Sequence, residues 1–435
     1  VPSRCLLIIL DGLGDRSHES LGGRTPLAAA RTPHLDELAR LGANGLFHAG
    51  ELGLALPSED AHFALFGCDA AEFPGRGLLE ALGAGLEARP GEVYLLARLL
   101  AAVEEEGGLR VLAYDPPWER REAEELFSSL AGLSDRHPDL SLTRTRGLEA
   151  ILTLRGPASP WLTDSSPLVE GRCLMEVRPW REWADDGVTL AAAGSVNDFL
   201  VSAHRTLRGH PVNLERQRRG LLPLNALATQ RPGRLREVRP FKERWGLRAA
   251  TVSSGLVYWG LARFLGLEVI AQRDTADPAA DLAGRLETAR RLLADFDLVH
   301  VHTKSPDQAA HTKNPAAKKE VLEALDQGLG RAIGPLLDDP EVLLVLTSDH
   351  STPSAGPLIH SGEPVPLIMA GRGVRRDGVS RFDEVSAAAG ALGLVRGREL
   401  MNLILNHLDR AKLRGLMDGP EDQPFWPGPW RPLKV

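Results

Sequence analysis

The run Cys5-Leu-Leu-Ile-Ile-Leu10 is apolar at every position and stops abruptly at Asp11-Gly12-Leu13-Gly14-Asp15. A segment like this has no polar face to offer water, so it predicts a strand buried on both sides. The glycine-containing polar stretch behind it predicts a loop at the strand's carboxyl end. The same pattern returns late in the chain. Phe296-Asp-Leu-Val-His-Val-His302 leads into Thr303-Lys304-Ser305-Pro306-Asp307, and Val342-Leu-Leu-Val-Leu346 leads into Thr347-Ser348-Asp349-His350. Val365-Pro-Leu-Ile-Met369 is a fourth apolar strand, and helical stretches such as Ala280 to Ala294 and Ala316 to Leu336 separate the others. Strands alternating with helices predict an α/β fold with a mostly parallel sheet flanked by helices. Ligands of such sheets bind at the carboxyl ends of the strands, which is where these Asp and His residues fall.

The stretch between Arg89 and Pro179 breaks the pattern. It holds a charged helical piece from Trp118 to Leu130, then short alternating segments, Leu140 to Thr145 and Glu149 to Leu154, and a turn-rich Gly156-Pro157-Ala158-Ser159-Pro160. This predicts a discontinuous core, residues 1–88 and 180–435, with an inserted smaller α+β cap domain at 89–179. A length of 435 residues accommodates two or three domains. The tail after Gly419 is rich in Pro and Trp and is expected to lie on the surface as an arm.

Composition narrows the class of function. With 43 % apolar and 25 % charged residues the chain is an ordinary globular protein. A net charge of -7 argues against a general nucleic-acid binder but leaves room for a small anionic substrate held by local arginines. No apolar stretch is long enough to span a membrane. The cysteines, Cys5, Cys68 and Cys173, form no C-x-x-C pair and no disulfide framework, so a reducing cytoplasm is the expected location.

Several residues could carry chemistry. Asp307 and His311, spaced i, i+4, share one helix face and could grip one metal ion, although the spacing alone also suits a capping Asp and a surface His. Asp349-His350 directly follows a buried strand, where unpaired polar groups are costly. His360 precedes another apolar strand, and Asp11 ends the first. Ser58, in Pro57-Ser58-Glu59-Asp60-Ala61-His62, reads alone as a helix N-cap, yet a helix N-terminus also favours an anion. Together these positions supply two sets of Asp and His ligands of a kind that suits Mn²⁺ or Zn²⁺ better than Ca²⁺. A pair of such ions about 4 Å apart can clamp the attacking and leaving oxygens of a phosphoryl transfer.

The ordered set Asp11, Ser58, Asp307/His311, Asp349-His350 and His360 resembles the cofactor-independent (2,3-bisphosphoglycerate-independent) phosphoglycerate mutases of the archaeal type, within the alkaline phosphatase superfamily. Further segments carry the resemblance along nearly the whole chain: Gly22-Gly-Arg-Thr-Pro-Leu27, Thr32-Pro-His-Leu-Asp36, Gly75-Arg-Gly77 with Glu80-Ala-Leu-Gly83, His210-Pro-Val-Asn213, and His360-Ser-Gly-Glu-Pro-Val-Pro366. The resemblance implies an alkaline-phosphatase-like core and two divalent ions (Mn, Zn or Mg). Asp11, Ser58, Asp349 and His350 would hold one ion, and Asp307, His311 and His360 the other. Ser58 would be the nucleophile that becomes phosphoserine, with Lys304 as its phosphate partner and Arg76 and Arg216 as candidates for the substrate's anionic groups. The partner so implied is a small phosphorylated metabolite, with neither nucleic acid nor membrane.

The cap departs from the family. A Gly-Asp-Val-Ala-aromatic-Arg-x-Asn stretch reads Gly91-Glu-Val-Tyr-Leu-Leu-Ala-Arg98 here. An Asp-Arg-x-Ala-Gly-Arg stretch has Ala113-Tyr-Asp-Pro-Pro-Trp-Glu-Arg-Arg121 as its nearest segment, and Asp164-Ser-Ser-Pro167 stands where Asp-Thr-Asp-Pro is usual. The expected reaction is therefore interconversion of 2- and 3-phosphoglycerate. The alternative is a metal-dependent phosphatase or phosphotransferase acting on another small metabolite.

Overall fold

The computed structural model describes residues 1–417, 419–426 and 431–435. Residues 427–430 of the Pro/Trp-rich tail lie outside the described residues. In chain order the strands are β1 (Arg4–Leu10), β2 (Ala43–His48), β3 (Val93–Glu105), β4 (Gly108–Ala113), β5 (Leu140–Arg146), β6 (Glu149–Leu154) and β7 (Ala226–Arg234). They continue with β8 (Ala249–Ser253), β9 (Glu268–Ala271), β10 (Leu298–Thr303), β11 (Val342–Thr347), β12 (Val365–Ala370) and β13 (Gly393–Arg396). The chain divides into two compact units, Val1–Phe73 with Val238–Val435, and Pro74–Glu237.

The larger unit is built on an eight-stranded sheet in the order β13-β2-β12-β11-β1-β10-β8-β9. The apolar run at the N-terminus occupies the middle of it. β1 is paired in parallel with β10 on one side and β11 on the other, and Leu6, Leu7, Ile8 and Ile9 are all fully buried. Alternate side chains, Leu6 and Ile8, enter a core with Leu35 and Leu38 of the helix Pro33–Leu41, Leu282 and Leu286 of Pro278–Leu292, and Leu322, Leu325 and Leu329 of Pro315–Ala332. All four apolar runs read from the sequence are strands, but β12 runs antiparallel to β11. No helix of crossover length lies between Thr347 and Val365, so the chain doubles back as antiparallel neighbours do.

The smaller unit is a five-stranded antiparallel sheet in the order β4-β3-β6-β5, with β7 paired to the other side of β3. Val196, Phe199, Ala203 and Leu207 of the helix Gly187–Arg208 join Val93, Leu95, Leu126 and Leu152 in its core. This helix and β7 hold the chain in the smaller unit up to Glu237. That unit therefore begins before the expected residue 89 and runs well past 179, because β7 completes the edge that β3 would otherwise expose.

Candidate metal centre and nucleophile

The carboxyl ends of β1, β10 and β11 lie side by side, with Ile9 in register with both His302 and Thr347. Three loops that are remote in sequence therefore begin at one edge of the sheet. Asp11 sits on the first, Lys304 and Asp307 on the second, Asp349 and His350 on the third. Gly12 makes their close approach feasible. It adopts φ +67°, and a Cβ there would lie 2.6 Å from Thr352 Oγ1 and 2.7 Å from Asp307 Cβ. Its backbone N–H donates to Asp349 Oδ1 at 3.1 Å. Behind the loops, the fully buried ammonium of Lys318 donates to Gly14 O and Thr352 O, both at 2.8 Å, and pairs with Asp15 at 3.2 Å.

Among the described residues two groups of side chains could each hold a cation, Asp11/Asp349/His350 and Asp307/His350/His360, with the ligand atoms of each group within 4.8 Å of one another. His350 belongs to both. His311 lies at the edge of the second group, its Nε2 3.2 Å from Asp307 Oδ1 and its side chain 38 % exposed. The helix Ser305–His311 thus places Asp307 and His311 on one face, as their spacing predicts. Asp11 Oδ1, Asp307 Oδ2 and Asp349 Oδ2 are buried without a hydrogen-bond partner. Buried orphan acceptors on three crowded carboxylates are what a divalent cation would satisfy, so the residues present fit metal binding.

Burial by itself would raise all three carboxyl pKa values, but the Lys304 ammonium and neighbouring histidines more than offset it. Lys304, His302 and His350 hold Asp11 below the usual carboxylate range, and His311, His360 and Lys304 do the same for Asp307. Asp349 is lowered by His350 and His62. Each carboxylate is therefore kept in the ionised form that ligates metal. Burial opposes the charge on Lys304 too, yet Asp11 and Asp307 outweigh it and raise its pKa, so the lysine is a fixed cation.

Hydrogen bonds set the histidine tautomers. Thr352 Oγ1 donates its one hydrogen to Asp307 Oδ1 at 2.8 Å, so it can only accept from His350 Nδ1 at 3.1 Å. That leaves a lone pair on His350 Nε2, which is 2.9 Å from Ser58 Oγ. His360 Nδ1 donates to Leu56 O at 2.8 Å, which likewise frees its Nε2.

Ser58 opens the helix Ser58–Leu65, and Pro57 takes the cap position in an extended conformation. The cap reading of Ser58 is thus displaced by one residue, and its hydroxyl makes no cap hydrogen bond. Instead it is buried beside His350, with Lys304 Nζ donating to Oγ at 3.3 Å.

Several site residues were not read from the sequence. Tyr258 donates to Asp11 Oδ2 at 2.5 Å and receives a hydrogen bond from Lys304 Nζ at 3.1 Å. His302 Nε2 also reaches Asp11 Oδ2, at 3.0 Å. His62 Nδ1 donates to Ser58 O at 2.9 Å and lies 3.3 Å from Asp349 Oδ2. His62 falls one turn after Ser58, and His302 ends the apolar run that leads into Lys304; both positions were available as signals. Tyr258, inside the apolar helix Leu256–Leu265, reads as core.

The two substrate arginines separate. Arg76 Nε donates to Glu80 Oε1 at 2.8 Å, and the residue lines a cavity of about 300 Å³ in the smaller unit with Arg98, Tyr114 and Ser166. Three of the segments that depart from the family thus meet in one cavity. Arg216 does not fit the role expected of it. It is fully buried within the smaller unit, with each of its three guanidinium nitrogens bonded, to Glu122, Pro117 O and Leu222 O, so burial keeps it from a substrate.

A family model described as the metalloenzyme superfamily matches residues 3–407, which is nearly the whole chain. The chain belongs to that superfamily, and its divalent-metal dependence follows. A protein of Methanocaldococcus jannaschii named 2,3-bisphosphoglycerate-independent phosphoglycerate mutase 2 is 39 % identical over 424 residues, covering 96 % of each chain. The Methanopyrus kandleri protein of the same family name is 37 % identical over 95 % of this chain and 98 % of its own. Among solved structures, the PH0037 protein of Pyrococcus horikoshii superposes with a TM-score of 0.78 at 30 % identity, covering 95 % of this chain and all of that one. The cofactor-independent phosphoglycerate mutase of Thermoplasma acidophilum gives 0.63 at 30 % identity, covering 93 % of this chain and 100 % of its own. Within the superfamily, the chain is a member of the 2,3-bisphosphoglycerate-independent phosphoglycerate mutase family. These relatives do not favour the phosphatase alternative that the altered cap segments suggest. Among the described residues no helix is long and apolar enough to cross a membrane.

Proposed function

We propose that this enzyme interconverts 2- and 3-phosphoglycerate through a phosphoserine at Ser58, with two divalent ions bound at the joined strand ends. One observation carries the reading. The Ser58 hydroxyl, in a chain 39 % identical to a named mutase, lies 2.9 Å from the histidine common to both cation groups and 3.3 Å from a half-buried lysine. Asp11, Ser58, Asp349 and His350 would hold one ion and Asp307, His311 and His360 the other, with His350 at the junction. Ions there would lower the pKa of the serine hydroxyl and offset charge on the phosphoryl oxygens.

The protein's own groups account for the rest. Ser58 Oγ attacks the phosphorus, the bond from phosphorus to the glycerate oxygen breaks, and the proton lost by serine balances the one gained by glycerate. The Lys304 ammonium stays charged throughout and donates hydrogen bonds to Oγ and to the developing phosphoryl charge. Tyr258 and His302 hold Asp11 in place. The glycerate, retained and turned, then accepts the phosphoryl group on its other hydroxyl. Arg76 is assigned to the substrate's anionic groups.

The test is ³¹P NMR of the Mn²⁺-loaded protein incubated with 3-phosphoglycerate. Formation of 2-phosphoglycerate without free phosphate is expected, and Ser58→Ala should abolish it while metal content is retained. Free phosphate as the sole product would overturn the mutase reading. Undiminished turnover in the alanine variant would overturn the nucleophile.

A further inference from the structure

The larger unit contains a cavity of about 620 Å³ that, among the described residues, none of the candidate metal ligands lines. Arg239, Arg244, Arg398, Lys412 and Arg414 line it together with Trp245. Among the described residues, the carboxylates on the same wall are Glu421 and Asp422 of the tail. Three of the five cations are partnered: Arg244 with Glu72 at 2.5 Å, Lys412 with Asp422 at 3.1 Å, and Arg239 more loosely with Glu421 at 3.7 Å. Arg398 and Arg414 are exposed, and their guanidinium groups have no hydrogen-bond or ion-pair partner among the described residues.

Two guanidinium groups left unpaired beside one concavity repel each other unless something anionic enters it. Free guanidinium forks match phosphate oxygens in geometry and charge. The volume is in the range of small-ligand pockets and exceeds what a lone phosphate fills, so an organic body can enter with the phosphate.

We propose that this cavity binds a small phosphate-bearing polyanion, with the phosphate on Arg398 and Arg414. The site is separate from the reaction chemistry. Part of its wall, from Ala411 to Pro424, lies beyond residue 407, where the family match ends. It is nonetheless connected to the nucleophile's helix. Trp245 Nε1 donates to Phe66 O at 2.8 Å, and Arg244 reaches Gly67 O at 3.4 Å, both just past the end of the helix that Ser58 begins.

Inorganic phosphate is the probe, titrated calorimetrically into the metal-loaded protein and into Arg398→Glu/Arg414→Glu. Both substituted side chains are exposed, so the fold is retained. The parent is expected to take up one more phosphate per chain than the variant, or to bind it about tenfold or more tightly, while the two share the same mutase kcat. Glu421→Gln, which removes an opposing carboxylate, should tighten the same event about two- to fivefold. Identical phosphate stoichiometry and affinity in parent and double variant would overturn the proposal. So would a Glu421→Gln protein that binds phosphate more weakly than the parent.

Discussion

Gly12→Ala is the substitution for which the structure gives the largest effect from the smallest change. The added methyl would meet Thr352 Oγ1 at 2.6 Å, Asp307 Cβ at 2.7 Å and Asp307 Cα at 2.9 Å. Ordinary contacts begin near 3.4 Å, so the loop after β1 must part from the Asp307 helix by about 0.7 Å. The neighbours have little room to yield, since Lys318 ties Gly14 O to Thr352 O. The left-handed backbone at φ +67° adds about 1–2 kcal/mol for any residue with a Cβ, and overpacking adds about 1–3 kcal/mol. The expected loss is therefore about 2–5 kcal/mol, a fall in Tm of roughly 5–15 °C for a unit of this size. The same shift moves Asp11 and Asp349 against Asp307. A misplacement of about 1 Å costs on the order of 100-fold in rate, so kcat should fall about 10- to 100-fold at saturating Mn²⁺. Melting curves, metal content and ³¹P-monitored mutase turnover on one preparation test this. A variant with a lowered Tm but kcat within about twofold of the parent would refute the reasoning, because the strain would then be relieved away from the site.

Two other substitutions separate roles that the sequence alone leaves mixed. Tyr258→Phe removes one donor to Asp11 while His302 and Lys304 remain, so the fold should hold and kcat or metal affinity should drop about 10- to 100-fold; unchanged values for both would remove Tyr258 from the site. Arg216→Met leaves Glu122 buried without its main partner, so stability should fall by about 3 kcal/mol with KM for 3-phosphoglycerate unchanged below the melting range; a raised KM with unchanged Tm would restore the substrate role.

How much of this was legible in the sequence depends on the range of the interaction. β1, β10 and β11 declared themselves because burial on both faces leaves an unbroken apolar run. The ligands after them were readable because Asp and His rarely end such runs without a reason. The direction of β12 was not, since an apolar run carries no sign of which way its neighbour points. The helix Gly187–Arg208 shows an apolar stripe through Val196, Phe199 and Leu207 that fits either sheet equally well. β7 contains Arg231-Pro232-Gly233, which reads as a turn, and so the edge that extends the smaller unit to Glu237 was missed. Arg216 looked like a free anion binder because its partner Glu122 is remote in sequence and nothing local marks the pair. Tyr258 was hidden by its surroundings. Its hydroxyl has meaning only once β1 brings Asp11 beside the helix that carries it.

The position of β1 also bears on how the chain is made. β1, at the centre of the larger sheet, leaves the ribosome long before both of its neighbours, Leu298–Thr303 and Val342–Thr347. At roughly 5–20 residues per second, Cys5–Leu10 waits on the order of 15–60 s for its first partner. Residues 74–237 form a continuous compact unit and can complete their own sheet within that interval. Throughout it an apolar strand stays unpaired on both edges, so nascent chains released before residue 303 carry an aggregation hazard in Cys5–Leu10.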